Sequence, residues 1–350
     1  MMKRHLDSAT IKDILQAAPR CTIGVLGDMF LDRYLEIDRR LDEPSVETGR
    51  TAYQVTRVRS HPGAAGTVVA NLAALGVGRI IPFAFVGDDG EGYELRAALV
   101  ATGGVDSTGL VGCAQRRTPT YTKPMHRHAG CDPVEDHRLD IKNREPTPPW
   151  VIDAIAERVE SLLPELDALL VLDQVSEADC GVVTAAMRAR IERWTKERPS
   201  LFVMGDSREL IHSMAGMALK PNRAECRAAL NCMGLSVPEA SETMAMALAQ
   251  AVGHPVFLTV GDKGMVVAHV DGTLTMAPAF AVSGPTDPVG AGDSTSAGLL
   301  LAHAAGATPV QAAEFGCLIA SITVAQIGVT GTASPAQVME AWQNQSALSD

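Results

Sequence analysis

A glycine-rich turn, Asp287-Pro288-Val289-Gly290-Ala291-Gly292-Asp293, runs directly into the apolar stretch Ser294-Thr295-Ser296-Ala297-Gly298-Leu299-Leu300-Leu301-Ala302. A turn of this kind opening a helix constrains the chain strongly, because unpaired backbone N–H groups and the positive end of the helix dipole then point at whatever lies before it. Anions bind at such places. Gly290 and Gly292 let the backbone approach an anion closely, and Asp293 sets a carboxylate at the same spot. Phosphoryl transfer accounts for both: the amides hold the charge developing on the transferred group while the carboxylate accepts a proton from the attacking hydroxyl. The same residues also read as a plain loop-to-helix turn with Asp293 as a capping residue.

Around this turn the chain alternates between strand and helix patterns. Residues 8 to 18 read as an amphipathic helix stopped by Pro19, an extension before the fold proper. Cys21 to Leu26 is a first buried strand, with Gly27-Asp28 and Leu31-Asp32-Arg33-Tyr34 as the loop at its C-terminal end, where ligands bind in parallel sheets. Residues 36–60 and 112–141 read as half-exposed strands of a small four- or five-stranded lid. His61 to Gly66 opens a helix from Thr67 to Leu75; Ile80 to Val86 is a buried strand, followed by a helix to Ala101. Pro146, Pro148 and Pro149 mark a boundary that neither a helix nor a central strand tolerates. Beyond it come helix 151–163, strand 168–173, helix 178–197, strand 201–206, a strand or turn at 217–221, and helices 223–231 and 238–252. Strands 255–260, 264–269 and 273–277 follow, then the 287–305 loop and helix and a helix over 309–327. Such alternation predicts an α/β fold with a doubly wound, mostly parallel sheet flanked by helices. Residues 343–350 read as a frayed tail.

In 350 residues, 46% are apolar and 20% charged, and no apolar run approaches 18 residues, so a membrane span is not expected. The N-terminus lacks the apolar region of a signal peptide, which predicts a cytoplasmic protein. Seven cysteines (Cys21, Cys113, Cys131, Cys180, Cys226, Cys232, Cys317) are scattered without Cys-x-x-Cys spacing, against a disulfide framework or zinc site. His126 and His128 lack the cluster a metal site needs. A formal charge of −11 argues against nucleic acid and requires locally placed cations for an anionic substrate.

Two further constellations carry chemistry. Lys220-Pro221-Asn222-Arg223-Ala224-Glu225 follows a strand and starts a helix, so Asn222 and Glu225 share a face where hard oxygen ligands suit Mg²⁺, usually through its waters. A capping box explains the same spacing equally well. Thr259-Val260-Gly261-Asp262-Lys263-Gly264 ends a strand in a two-glycine turn that admits a nucleotide or simply closes a hairpin.

The three motifs, in this order, resemble the signatures of the ribokinase-like (PfkB) carbohydrate kinases: Asn-x-x-Glu, Thr-x-Gly-x-x-Gly and Asp-Thr-x-Gly-Ala-Gly-Asp, with Pro288 where Thr is commonest. The resemblance covers roughly residues 21–342. It implies a ribokinase-like domain with lid strands, ATP and Mg²⁺ as cofactors, and Asp293 as catalytic base over an anion hole of Gly290, Ala291, Gly292 and Asp293. It also implies Asn222, Glu225, Thr259, Gly261, Gly264 and Asp287 on the ATP side, and a small-residue helix from Ala312 to Ala325 walling the adenine. On the sugar side it implies Asp32, Gly63, Thr67 and Lys123, with Asp28 less clearly placed. Gly63 matches the family's Gly-Gly-x-x-Asn element, but Ala64 replaces the second Gly and Thr67 stands at the sugar-contacting Asn.

Arg117 to Lys123 and Arg138-Leu139-Asp140 are similar to the kinase half of heptose-phosphate kinase/ADP-heptose synthetases, although Arg117, Lys123 and Arg138 also read as lid surface charges. Val171-Leu172-Asp173-Gln174-Val175 departs from that subgroup and lacks its lysine, and its nucleotidyltransferase half has no counterpart. Pairing of lid strands between subunits is common in the family, which implies a homodimer. The resemblance implies ATP-dependent phosphorylation of a sugar or sugar phosphate; the departures leave a non-catalytic sugar or nucleotide sensor as the rival.

Overall fold

The computed structural model describes residues 4–127, 133–328 and 330–347; His128 and Cys131 lie outside them. Strand β1 (Thr22–Gly27) is buried over almost its whole length, as a strand covered by helices on both faces must be. It sits inside a sheet that comprises nine strands among the described residues. On one side of β1 lie β6 (Arg79–Gly87) and β7 (Leu110–Cys113), and on the other β11 (Ala168–Asp173), β12 (Phe202–Ser207), β13 (Ala218–Leu219), β14 (Val256–Thr259), β15 (Gly264–Ala268) and β16 (Leu274–Pro278). Every pairing from β7 to β14 is parallel, while β15 and β16 close the edge antiparallel. The chain leaves β1 in one direction and returns to its other side at β11. That reversal opens a crevice at the C-terminal ends of the strands, where open α/β sheets bind ligands.

Asp28 alone separates β1 from β2 (Met29–Asp38), so the central strand feeds straight into a second sheet. Its order is β10 (Leu139–Ile141), β8 (Thr120–Arg127), β2, β5 (Val55–Ala64), with β9 (Val134–Glu135) paired to β8; β3 (Glu43–Pro44) and β4 (Thr51–Ala52) form a small separate pair. This is the expected lid, but it begins at Met29 and runs to Ala64. Leu31 to Tyr34 therefore belongs to a lid strand and not to a loop, and Asp32 is held at fixed register opposite His61 and Tyr121.

The helices are α1 (Ser8–Ala17), α2 (Ala65–Ala74), α3 (Gly90–Ala101), α4 (Pro149–Leu162), α5 (Ala185–Glu197), α6 (Arg223–Cys232), α7 (Ser241–Val252), α8 (Ala291–Ala304), α9 (Pro309–Thr323) and α10 (Pro335–Ala347). Several expected boundaries move. Helix α4 starts on Pro149 itself, which the first helical position accepts because its N–H would be unpaired anyway. Helix α5 starts at Ala185 rather than 178, capped by the Thr184 hydroxyl, and α9 ends at Thr323 rather than 327.

The described residues near both ends are more tightly held than their composition suggests. Leu6, Ile11 and Ile14, in the stretch read as an extension, are buried in the core. The buried carboxylate of Glu314 on α9 accepts the backbone N–H groups of His5 (3.0 Å) and Leu6 (2.6 Å). Residues 343–347, read as frayed, continue α10, and the Gln345 side chain bonds the backbone of Ala281.

Candidate active site

Helix α8 has Gly290 at its N-cap in the left-handed conformation (φ +79°) and no side-chain cap. Its first turn is thus left open. The Ala291 N–H is turned back onto the Pro288 carbonyl (3.1 Å), which removes it from the expected anion hole in this state. No described residue accepts the amides of Gly290, Gly292 or Asp293. The Asp287 carboxylate is used to brace the turn, accepting from the N–H groups of Val289 (3.0 Å) and Gly328 (3.3 Å).

Asp293 is half-buried on this open turn. Burial, reinforced by Asp206 and eased by Lys220 and Arg208, pushes its carboxyl up to about 7. Lys220 and Asp206 are the functional candidates that the sequence reading did not single out. They form a buried ion pair (2.9 Å), and Ser296 on α8 donates to Asp206 (3.3 Å). A Cβ on Gly292 would stand 3.8 Å from the Lys220 Nζ, which puts the ammonium against the open turn. Burial pulls the Lys220 pKa down, but Asp206, Glu225 and Asp293 outweigh it and the group ends above its ordinary value. The signal that would have found them is positional: Asp206 closes a parallel strand at its C-terminal end, and Lys220 directly follows another.

Asn222 and Glu225 form a capping box, each side chain accepting the other's backbone N–H (2.9 and 2.7 Å). Burial raises the Glu225 carboxyl, partly offset by the Asn222 N–H, and it feels Asp206, Lys220 and Arg208, so it faces the same cluster. Asn222 bridges Thr259, whose N–H donates to the Pro221 carbonyl (2.9 Å), so these two motifs are neighbours. The turn after Thr259 does close a hairpin between β14 and β15. Gly264 is required there by packing, since a Cβ would meet the Ala277 carbonyl oxygen at 2.1 Å, whereas Gly261 faces open space. Ala312 and Ala313 on α9 are fully buried.

On the other side of Gly290 lies Thr67 on the first turn of α2. Its methyl carbon is 3.9 Å from where a Gly290 Cβ would be. Asp32 lies against Gly63, where a Cβ would sit 2.9 Å from the carboxyl carbon. Only glycine leaves that room. Ala64, which replaces the second glycine, holds φ +52° and ψ −121°, a conformation that costs a residue with a Cβ about 1–3 kcal/mol. Lys123 pairs with Asp32 (3.6 Å) and donates to the Tyr34 hydroxyl (3.1 Å). Burial pulls it down, but Asp32 and Tyr34 prevail and hold it above its ordinary value. Asp32, Tyr34 and Thr67 line a cavity of about 470 Å³.

Other candidates fall outside this cluster. Arg117 and Arg138 are exposed surface charges paired to Glu91 and Asp140. Asp28 is fully used by the backbone, accepting from Gln174 (3.1 Å) and Val182 (2.7 Å), and burial raises it to about 6. His126 packs edge-on to Tyr53, and no group of three His, Cys, Asp or Glu able to hold a metal occurs among the described residues. The arrangement fits Mg²⁺ only as an ion carried on water and phosphate oxygens, with Glu225 as a single protein carboxylate near it.

Residues 29–337 match the model of the pfkB family carbohydrate kinases. The chain belongs to that family. This kinase is 30% identical over 322 residues to Bifunctional protein HldE of Caulobacter vibrioides, an alignment covering 90% of the chain and 63% of that protein. Bifunctional protein HldE of Geobacter metallireducens is 31% identical over 319 residues, covering 90% and 61%. The chain thus spans less than two thirds of these relatives' length. Among solved structures, Arabidopsis thaliana ribokinase complexed with ribose and ATP superposes with a TM-score of 0.66 at 16% identity, covering 92% of this chain and 99% of that one. Phosphofructokinase-2 of Escherichia coli in complex with fructose-6-phosphate gives 0.67 at 15%, covering 93% and 99%. These likenesses establish the ribokinase-like fold. No helix among the described residues is long and apolar enough to cross a membrane.

Proposed function

We propose that this kinase moves the γ-phosphoryl group of ATP to a hydroxyl of a sugar or sugar phosphate, with Asp293 as the base. The observation that carries this is the convergence at one helix end of a carboxyl poised at about 7, unpaired amides and the buried Lys220 ammonium. A base works best with a pKa near the working pH, and donors fixed in advance hold developing charge without reorganisation. Asp32 and Thr67, across Gly290, hold the sugar, because a carboxylate accepts hydrogen bonds from neighbouring hydroxyls. Lys123 orients Asp32 through their ion pair. The turn at Gly261, beside Asn222 and Thr259, borders the nucleotide. A non-catalytic sensor has no use for a carboxyl set beside unpaired amides and a buried ammonium at one helix end.

Mg²⁺ supplies charge neutralisation to the phosphates when bound, and Glu225 reaches it through water. Glu225→Gln keeps the capping box, since glutamine serves at that position. The variant is expected to melt near the parent temperature while needing several-fold more Mg²⁺ for half-maximal rate. An unchanged Mg²⁺ requirement removes Glu225 from the metal.

Turnover is tested by ADP release across a panel of sugars and sugar phosphates. Thr67 offers one hydroxyl and a methyl group where an Asn offers a carbonyl and an amide. Ribose and fructose are therefore expected to be poor acceptors, and Thr67→Asn to reorder kcat/KM among the panel. An identical order in both proteins takes Thr67 away from the sugar. We also place the kinase in the cytoplasm, where ATP is supplied, and as a homodimer through the lid, whose strands expose Val55, Val58, Val134 and Leu139.

A further inference from the structure

Arg208 stands one residue beyond β12, at the C-terminal end of the strand that supplies Asp206. Its backbone is fixed there. The Arg208 N–H donates to the Asp173 carbonyl (3.5 Å), and the Ser207 hydroxyl beside it donates to the Asp173 carboxyl (2.9 Å) and accepts the Leu210 N–H (2.9 Å). The side chain is exposed, and its guanidinium has no hydrogen bond or ion pair to a described residue. Its charge nevertheless acts on Asp293 at the start of α8, on Glu225 in the first turn of α6 and on Tyr121 in lid strand β8. Three elements converge on it, two from the phosphoryl side and one from the lid.

Tyr121 shows which part of the lid this is. It pairs with Asp32 in the ladder and packs edge-on to Phe30 (5.2 Å), which lies two residues before Asp32 on β2 and shares its face. Arg208 thus faces the gap between Asp32 and the base Asp293, which itself feels the Asp32 charge. Asp32, Asp206, Glu225 and Asp293 set four carboxylates around that gap, while Lys220 and Lys123 are engaged with Asp206 and Asp32 (2.9 and 3.6 Å). A triphosphate brought here adds further negative charge. Among the described residues of this cluster, Arg208 is the cation left without an ion pair to meet it.

We propose that Arg208 is a further catalytic residue, whose guanidinium grips two oxygens of the transferred phosphoryl group on the acceptor side of Asp293. A planar guanidinium matches two phosphate oxygens at once. As the acceptor oxygen bonds to the γ-phosphorus, the bond from that phosphorus to the β–γ bridging oxygen breaks, the acceptor proton passes to Asp293 and ADP leaves. Arg208 exchanges no atom and holds the charge on the group being transferred. The proposal rests on the kinase reading and adds a residue to it.

Arg208→Gln is expected to lower kcat by about tenfold to a hundredfold, less than a buried donor is worth because the side chain is open to water. The melting temperature should stay at the parent value, since the side chain has no partner to lose. Free guanidinium at millimolar concentration should restore part of the rate in Arg208→Ala. Because Arg208 lowers the Asp293 pKa, the acidic limb of the kcat/KM profile should move to higher pH in Arg208→Gln. Arg208→Lys keeps that limb in place but, without the two-point grip, recovers only part of kcat. Near-normal kcat in Arg208→Gln, an acidic limb that does not move, or a rate that guanidinium does not restore overturns the proposal. If no acceptor yields ADP with the wild type, the kinase reading fails. Arg208 is then judged by calorimetric binding of inorganic tripolyphosphate: weaker binding in Arg208→Gln upholds the grip on phosphate, and equal binding overturns it.

Discussion

Asp293→Asn is expected to lower kcat by about 10²–10⁴, the worth of a positioned base, and at the same time to raise the melting temperature. The second effect follows from the pKa. Burial holds the Asp293 carboxyl at about 7, above its ordinary value of 3.8. Between these two values the unfolded chain has released a proton that the folded protein keeps, so stability falls as pH rises through this window and the penalty persists above it. An uncharged Asn escapes the penalty. In the parent protein kcat/KM should fall about tenfold per pH unit below 7, as the base becomes protonated. Turnover and thermal melting of both proteins from pH 5 to 9 check all three expectations. Near-normal turnover of Asp293→Asn, or a melting temperature that drops, removes Asp293 from this role.

Lys220→Met is expected to lower kcat by about 10²–10³ through loss of a donor aimed at the transferred group. It also leaves the Asp206 carboxylate buried without its partner at 2.9 Å, which costs about 3–5 kcal/mol of stability. The two effects separate in the double variant Lys220→Met/Asp206→Asn, which removes the orphaned charge. That protein should recover most of the melting temperature and little of the rate. The pH profile gives an independent reading. Lys220 lowers the Asp293 pKa and Asp206 raises it, so the acidic limb should move to higher pH in Lys220→Met and to lower pH in Asp206→Asn. Recovery of the rate in the double variant would make the pair structural only.

What the amino-acid sequence determined here is mostly local. The turn from Asp287 to Asp293 constrains its own backbone through Gly290 and the apolar run behind it, so the open helix start was legible at once. The alternation of buried runs and amphipathic stretches likewise specified a parallel α/β sheet, and three ordered motifs specified the family. Neighbouring residues decide such features, and they can be read in a line.

The tertiary structure decided what depends on partners distant in the chain. Asp32 reads as a loop residue until pairing with His61 and Tyr121 makes it part of a lid strand. Residues 8–18 read as an extension and the stretch from Gln343 as a frayed tail until Glu314 is found holding His5 and Leu6, and Gln345 bonded to Ala281. Lys220 and Asp206 are fourteen residues apart in sequence. Only the adjacency of β12 and β13 makes them an ion pair beneath Gly292. The pKa of Asp293 belongs to this second class. A carboxylate's charge is set by burial and by the fields of groups brought near it, and no local pattern of residues encodes the dielectric around them.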